Sequence, residues 1–128
     1  MAEYDLTVQI NAILEEYTEE VVEVTQKAIN KVCRKTVQNL KSASAEKFGN
    51  GRYARGWTSK YDSKNYGKVK GRMVYNATDY QLTHLLENGH MIVNKYGTYG
   101  RWEGIKHIQP AEQQANIMLE EEVRKGLK

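Results

Sequence analysis

The chain has very little cysteine, proline or phenylalanine: its 128 residues contain one of each. The single cysteine, Cys33, excludes an intrachain disulfide and favours an intracellular or reducing environment of assembly. Because Cys33 falls in the middle of a predicted helix rather than in a cleft, we expect it to pack in the core and not to act as a nucleophile.

Long apolar runs are also missing, since no purely apolar stretch exceeds three residues. The first five residues, Met1-Ala2-Glu3-Tyr4-Asp5, are acidic and lead into no apolar signal core. We therefore expect neither secretion nor insertion into a membrane. Hydrophobic residues make up 40% of the chain and charged residues 27%, as in an ordinary globular domain, and the length predicts a single domain over 1–128.

Positive charge is concentrated in one part of the chain, although the net charge is only +3. Residues 1–46 carry five basic and eight acidic side chains, and residues 73–128 carry six basic and seven acidic ones. Residues 47–72, here called the basic band, carry eight basic side chains and one acidic side chain. Because like charges reinforce one another within a Debye length of about 8–10 Å, the band predicts contact with phosphates or an acidic protein surface.

The first 46 residues lack both glycine and proline, and their apolar residues recur every three or four positions. This period predicts a long amphipathic helix from about Asp5 to about Ser44. At about 1.5 Å per residue the helix would be near 60 Å long, so we expect it to pack partly on a neighbouring subunit or to kink near the β-branched residues 21–25. The predicted apolar stripe consists of Leu6, Ile10, Ile13, Tyr17, Val21, Val24, Ala28 and Val32.

Residues 47–76 predict a loop followed by a hairpin. Three glycines in residues 49–56 predict a mobile loop. Residues 57–61 and 69–76 are rich in aromatic and β-branched types and predict an antiparallel hairpin around a turn at 62–67. Alternation in the second strand places Val69, Gly71, Met73 and Tyr75 on one face, and Lys70, Arg72 and Val74 on the other.

The remaining residues predict a short helix at 80–87 that ends at Asn88-Gly89, with Leu82, Leu85 and Leu86 facing the core. A strand at 91–93, a loop at 94–104 and a strand at 105–108 follow, and Pro110 begins a helix over 111–127. The predicted fold class is α+β, with a long N-terminal helix, a small antiparallel β-sheet, a short middle helix and a C-terminal helix. Its four segments are 1–46, 47–76, 77–111 and 112–128.

The most distinctive residues lie between Tyr80 and Ala111. Leu86-Glu87-Asn88-Gly89-His90 closes the short helix, and His107-Ile108-Gln109-Pro110-Ala111 opens the last one. In this order and spacing they resemble the neck or tail-completion proteins of long-tailed bacteriophages and prophages, and His90 and His107 match one branch of that family.

The resemblance implies a non-enzymatic structural virion protein that forms a ring, by preference a hexamer, at the head–tail junction. It implies assembly in the host bacterial cytoplasm, no cofactor and no membrane contact. The implied partners are other copies of the chain, a connector or head-completion protein, and a tail-tube or tail-terminator protein, with transient contact to genomic DNA in the lumen. The structural motif would comprise Glu87, Gly89, His90, His107 and Pro110.

A ring subunit needs two different surfaces for its two neighbours. We expect the two predicted loops to supply contacts with a partner or another subunit through Arg52, Tyr53, Arg55, Tyr96, Tyr99, Arg101 and Trp102. Contact with DNA or with an acidic surface is expected from Lys60, Lys64, Lys68, Lys70 and Arg72. The sequence leaves open whether the basic hairpin faces the lumen, a neighbouring ring or solvent.

The sequence also contains candidate ligands for a metal site. His84 and Glu87 lie three residues apart, with His90 and His107 beyond, and these are suitable zinc ligands; alternatively, Glu87 or His90 bonds loop backbone and orders the turn after Gly89. A serine-nucleophile motif, paired catalytic carboxylates and a phosphate-binding loop are not recognisable.

The second functional hypothesis is a small nucleic-acid-binding module. The basic band is interleaved with Tyr53, Trp57, Tyr61 and Tyr66, a mixture that suits phosphate contact and base stacking. The competing interpretation is a solvated basic hairpin whose aromatic side chains fill the core beneath it.

Overall fold

Nine helices and strands make up the part of the chain described by the structure, a computed structural model that covers residues 7–12, 18–62 and 68–127. They form an α+β fold with one three-stranded and one two-stranded antiparallel sheet, which confirms the predicted fold class. In chain order they are β1 (Val8–Ile10), α1 (Glu19–Phe48), α2 (Arg52–Arg55), β2 (Trp57–Tyr61), β3 (Arg72–Asn76), α3 (Tyr80–Asn88), β4 (His90–Asn94), β5 (Gly97–Trp102) and α4 (Ile108–Gly126).

Helix α1 is the longest helix in the described part of the chain. Its first turn is capped by the Thr18 hydroxyl, which accepts a hydrogen bond from the Val21 N–H at 3.2 Å, and Glu19 and Glu20 complement the helix dipole there. The helix is unbroken through residues 21–25, so the kink predicted there as one alternative does not occur, and its 30 residues extend about 45 Å. Buried positions recur along one face: Thr25, Ala28, Ile29, Val32, Cys33, Thr36, Leu40 and Ser44. The prediction that Cys33 packs in the core is thus confirmed.

The predicted start of this helix is wrong, because residues 8–10 form a strand. Val8 and Ile10 are buried and Gln9 is exposed, which is the alternation of a strand with one face on the core. Strand β1 pairs with β3, so the energetic reason for its conformation lies more than sixty residues away in the chain. Of the predicted apolar stripe, Leu6, Ile13 and Tyr17 lie outside the described residues.

The three-stranded sheet has the order β1-β3-β2 and packs on α1. Strands β2 and β3 pair antiparallel, with Ser59 opposite Val74, which confirms the predicted hairpin; residues 63–67 of its turn lie outside the described part of the chain. On β3, Val74 and Asn76 are fully buried, whereas Met73 and Tyr75 are only partly buried. The inner face of the sheet is therefore the Val74 face.

The predicted mobile loop at 49–56 contains a single helical turn, α2. Tyr53 and Ala54 are buried, and the Tyr53 ring packs edge-on against Phe48 and Trp57. Trp57 is 1% exposed and its indole N–H donates to the Ser44 hydroxyl at 2.9 Å. The aromatic residues of this region thus close the core beneath α1.

Helix α3 ends at Gly89 as predicted, but its inward face differs from the prediction. Thr83 and Glu87 are buried, whereas Leu82 is 41% exposed. The Thr83 hydroxyl donates a hydrogen bond to the Tyr80 carbonyl at 2.7 Å, so this buried polar group has a partner. Leu86 packs against the core as predicted, but the fully buried members of this face are the polar residues Thr83 and Glu87 and not Leu82.

Residues 90–102 form a hairpin rather than a strand and a loop. Strand β4 confirms the strand predicted at 91–93, but residues 97–102 pair with it as β5. The strand predicted at 105–108 is wrong, because residues 103–107 have no regular structure and α4 begins at Ile108, with Pro110 in its first turn as expected.

Candidate functional site

Glu87 joins the end of α3 to the start of α4. One carboxylate oxygen, Oε1, accepts hydrogen bonds from the N–H groups of His107 at 2.7 Å and Ile108 at 2.8 Å, and Oε2 accepts from the Gln109 N–H at 3.0 Å. These are amide donors that the first turn of a helix leaves without partners in the helix. Glu87, only 4% exposed, therefore caps α4 from a position twenty residues earlier.

The imidazole ring of His107 connects Glu87 to Tyr53, with one ring nitrogen facing each of them. The His107 Nδ1 atom lies 2.8 Å from Glu87 Oε1 and 2.9 Å from the Ile105 carbonyl oxygen, and its Nε2 atom lies 2.6 Å from the Tyr53 hydroxyl. Both neighbours of Nδ1 are acceptors, so this nitrogen carries the hydrogen and Nε2 accepts from the Tyr53 hydroxyl. The result is a buried chain of hydrogen bonds from Tyr53 through His107 to Glu87, here called the buried triad.

The pKa shifts support this arrangement of protons. Burial opposes ionisation of Glu87, but the three backbone N–H donors and His107 outweigh it and hold the pKa of Glu87 below its ordinary value. Burial lowers the pKa of His107 despite the Ile105 carbonyl and the Glu87 carboxylate, so the imidazole is neutral at pH 7. Burial, reinforced by the charges of Glu87 and Asp79, raises the pKa of Tyr53 and keeps its hydroxyl protonated.

The buried triad resembles a proton relay in composition, but its surroundings give it a structural role. Tyr53, His107 and Glu87 are 8%, 2% and 4% exposed, and their polar atoms are bonded to one another or to backbone. A reacting group needs room for a substrate within about 3 Å, and aromatic rings of Phe48 and Trp57 flank His107 instead. The interpretation of Glu87 as a backbone-bonding residue is thus confirmed, although it orders the start of α4 rather than the turn after Gly89.

Gly89 makes the close approach of the end of α3 to residues 102–103 sterically feasible. Its φ of +82° lies in the region that glycine favours. A side chain there would collide with the Trp102 carbonyl oxygen and the Glu103 backbone. The chain can thus leave α3, and return beside the same point, only because this position has no Cβ.

The candidate metal ligands are not brought together. His107 contacts Glu87, but His84 is exposed and contacts Asn88, and His90 is exposed and contacts the Met91 carbonyl. Within residues 7–12, 18–62 and 68–127, no three His, Cys, Asp or Glu side chains are grouped so that they could hold a metal ion.

The residues predicted as contacts separate into three environments. Tyr53 belongs to the core, so its assignment as a surface contact is wrong. Arg52 is bound to the Thr78 carbonyl at 2.9 Å and to Asp79 at 3.2 Å, which ties α2 to the start of α3. Arg55 is exposed.

The other four predicted contacts, Tyr96, Tyr99, Arg101 and Trp102, lie on the β4–β5 hairpin, whose residues 90–102 are here called the arm. Tyr96 is 76% exposed and Tyr99 is 59% exposed. Arg101 donates to the Asn88 carbonyl at 2.6 Å and so ties the base of the arm to α3, whereas the half-buried Trp102 packs at 5.8 Å from the His90 ring within the arm. Met91, Ile92 and Val93 add further exposed apolar surface.

The basic band is divided rather than gathered on one surface. Lys60 lies over the Tyr75 ring at 5.2 Å on the outer face of the sheet, whereas Arg72 lies over Tyr61 at 4.3 Å near the end of the β2–β3 ladder. Lys68 and Lys70 are exposed, and Lys64 lies outside the described residues. Two of the proposed stacking aromatics, Tyr53 and Trp57, are core residues and cannot stack on bases, which confirms the competing interpretation for those two.

Sequence reasoning missed three members of this region. Tyr53 lies on α2 and Trp57 begins β2, so no single hydrophobic period links them, and their large aromatic rings are the signal that could have marked them as core. Asn76 is fully buried: its amide donates to the Tyr53 carbonyl at 2.7 Å, and its Oδ1 accepts from the backbone N–H groups of Thr78 and Asp79. It links β3 to both α2 and α3.

Comparison of the chain with protein-family models, with curated proteins and with solved structures gave no match. In the described part of the chain, no helix combines the length and the apolar composition that crossing a bilayer requires.

Proposed function

We propose that this protein is a non-enzymatic structural subunit of a tailed phage or prophage, which forms a ring at the head–tail junction as a neck or tail-completion protein. The proposal draws on the resemblance of residues 80–111 to that family and on an α+β fold with the expected element types. Its partners would be other copies of the chain, a connector or head-completion protein, and a tail-tube or tail-terminator protein. Assembly would take place in the host cytoplasm and the finished protein would reside in the virion, as a hexamer by preference.

The arm is the observation that carries this proposal. It exposes two tyrosines and three aliphatic side chains on a two-stranded hairpin. A hairpin of two strands is marginally stable alone, and contiguous exposed apolar surface marks interaction sites. Of the distinctive polar residues, Glu87 and His107, by contrast, are bonded inside the buried triad. Surface chemistry therefore favours docking over catalysis.

The basic band supports a second candidate, a nucleic-acid-binding module. Lys68 and Lys70 are exposed, and Lys60 lies over the Tyr75 ring on the outer face of the sheet. This set could contact phosphates and offers one ring for stacking. It is smaller than the sequence predicted, because two aromatics belong to the core.

Light scattering combined with DNA binding at two salt concentrations separates the two candidates. A ring, formed by the chain alone or with an added tail-tube protein, together with no salt-sensitive affinity for DNA would support the assembly role. A monomer under both conditions with DNA affinity that falls steeply with salt would refute it. The variant Lys68→Gln/Lys70→Gln serves as the control: it should reduce the salt slope by about one per lost phosphate contact if the DNA candidate is right.

A further inference from the structure

The middle of helix α1 carries charges of one sign only. Residues 24–45 contain five basic residues and no acidic residue. The net negative charge of residues 1–46 conceals this, because seven of the eight acidic residues in that segment precede Val24. The five basic residues are Lys27, Lys31, Arg34, Lys35 and Lys41. Helix α1 is therefore acidic at its start and basic along its middle.

These five residues lie on one face of α1, here called the cationic face. From the geometry of an α-helix, they fall within a sector of about 120° and extend over about 21 Å along the axis. The buried positions Ile29, Thr36 and Leu40 lie on the opposite side of the helix. Four of the five basic residues are exposed, and the side chain of the fifth, Lys31, is 43% exposed. The cationic face is therefore open to solvent.

Intrachain ion pairs neutralise only part of this charge. Lys27 pairs with Glu23 at 3.0 Å, and Lys31 pairs with Glu122 of α4 at 3.1 Å. The other three basic residues of this face form no ion pair with any described residue. Five positive charges less two acidic partners leave a net charge of +3. Such a surface attracts an anionic partner.

The uncharged residues of the cationic face show which anion suits it. Helix α1 exposes no large apolar or aromatic side chain over its described length, and the exposed residues beside the cations include Gln38 and Ser42. A protein partner is held mainly by apolar and aromatic anchors at the centre of the interface, whereas nucleic-acid interfaces are more polar and far more positively charged. Single strands are held largely by stacking on aromatic rings. A duplex, bound through its phosphates, is therefore the polyanion that this face fits.

We infer that the cationic face of α1 binds the phosphate backbone of a nucleic-acid duplex. Its basic side chains contact phosphates, and Gln38 and Ser42 add hydrogen bonds to phosphate oxygens. Backbone contacts carry no sequence information, so the affinity depends on the salt concentration and not on the base sequence. The inference goes beyond the proposed ring, because it does not use the contacts between subunits, and it concerns residues outside the basic band.

Two variants with the same net charge test this site. Arg34→Gln/Lys41→Gln removes two cations that have no ion pair among the described residues, and glutamine matches arginine and lysine in helix propensity. Lys68→Gln/Lys70→Gln is the matched control, because it removes the same charge from the basic band. Fluorescence anisotropy at several salt concentrations measures binding to a DNA duplex of about two helical turns, to an RNA duplex and to a DNA single strand of the same length. Circular dichroism and urea unfolding establish that each variant folds.

We expect the wild-type chain to bind a duplex more tightly than the single strand. At about 50 mM salt, Arg34→Gln/Lys41→Gln should weaken duplex binding by at least about tenfold and should reduce the salt slope by about two. The control should change both quantities less. Binding to either duplex supports the inference, and the tighter of the two identifies the source of the phosphates.

Three results would overturn the inference: losses in the control that equal or exceed those in the α1 variant, tighter binding to the single strand, or no duplex binding by the wild-type chain. Polyglutamate that competes as well as unlabelled duplex at the same charge concentration would also overturn it, in favour of an acidic protein surface.

These outcomes are distinct from those that test the proposed function. A ring that binds no duplex overturns this inference and leaves the ring standing. A monomer whose duplex binding is lost in Arg34→Gln/Lys41→Gln overturns the ring and leaves this inference standing.

Discussion

Replacement of Glu87 by glutamine is the sharpest test of how α3 and α4 are joined. Glutamine has nearly the same shape, but it removes the charge and turns one acceptor oxygen into an NH₂ donor. The carboxylate accepts three backbone hydrogen bonds and one from His107. With Oε1 retained as the amide oxygen, the Gln109 N–H at least would face a donor.

Hydrogen bonds to a charged group contribute about 1.5–3 kcal/mol each, and a buried donor left without a partner costs about 1–3 kcal/mol. Since the four bonds share one carboxylate, their energies are not additive. We expect Glu87→Gln to lower the free energy of unfolding by about 2–4 kcal/mol, a large part of the 5–15 kcal/mol typical of a domain.

Urea unfolding followed by circular dichroism measures this change. Glu112→Gln is the matched control, because Glu112 is an exposed carboxylate near the start of the same helix, and we expect its effect to stay within about 0.5 kcal/mol. If Glu87→Gln is as stable as the control, the carboxylate does not hold α4 in the way described.

Three further predictions concern the same region. In the folded chain the pKa values of His107 and Glu87 both lie below their ordinary values of 6.5 and 4.5, so the unfolded chain binds more protons in acid. The free energy of unfolding should therefore fall as the pH drops below 6.5 and fall further below 4.5. Urea unfolding measured across this pH range should show that His107→Gln removes the first of these two losses. Tyr53→Phe should cost about 1 kcal/mol by the same assay, through loss of its hydrogen bond to His107; an unchanged midpoint would contradict the buried triad. Gly89→Ala should lower the melting temperature by more than Gly51→Ala, a glycine with ordinary φ and open space around it, since positive φ alone costs about 1–3 kcal/mol in a non-glycine residue.

The parts of the fold that follow from local pattern were predictable. The stripe of α1 from Val24 onward and the Gly89 helix end depend on neighbours within a few residues, and the β2–β3 hairpin joins two strands that follow one another in the chain. Strand β1 was not predictable in this way, because Ile10 also fits the helical period of Leu6 and Ile13, and the strand that pairs with β1 is β3. Short apolar segments are ambiguous between strand and helix until the tertiary partner is known.

The candidate site was harder to predict, for a related reason. Glu87 belongs to the predicted motif, but its hydrogen-bond donors are backbone N–H groups about twenty residues further along the chain. Because nearly every residue type has a backbone N–H group, the sequence does not identify these donors. Tyr53 was assigned to the surface because the glycines around it suggested a loop, whereas the hydrogen bond to His107 and the packing on Trp57 hold it in the core. The exposure of Tyr96 and Tyr99 was anticipated because glycines flank them and leave them little to pack against.

The hydrogen bonds at the base of the arm have a consequence for how the sequence of this protein can vary. The Ile105 N–H donates to the Leu86 carbonyl at 2.8 Å, and the next turn is held by Glu87, so the body closes before and after residues 90–102 without using them. Doubling the length of a flexible connection costs only about 0.6 kcal/mol. The length and the side chains of the arm can therefore change during evolution to suit a new neighbour, while the sequences of the helices that carry the arm stay the same.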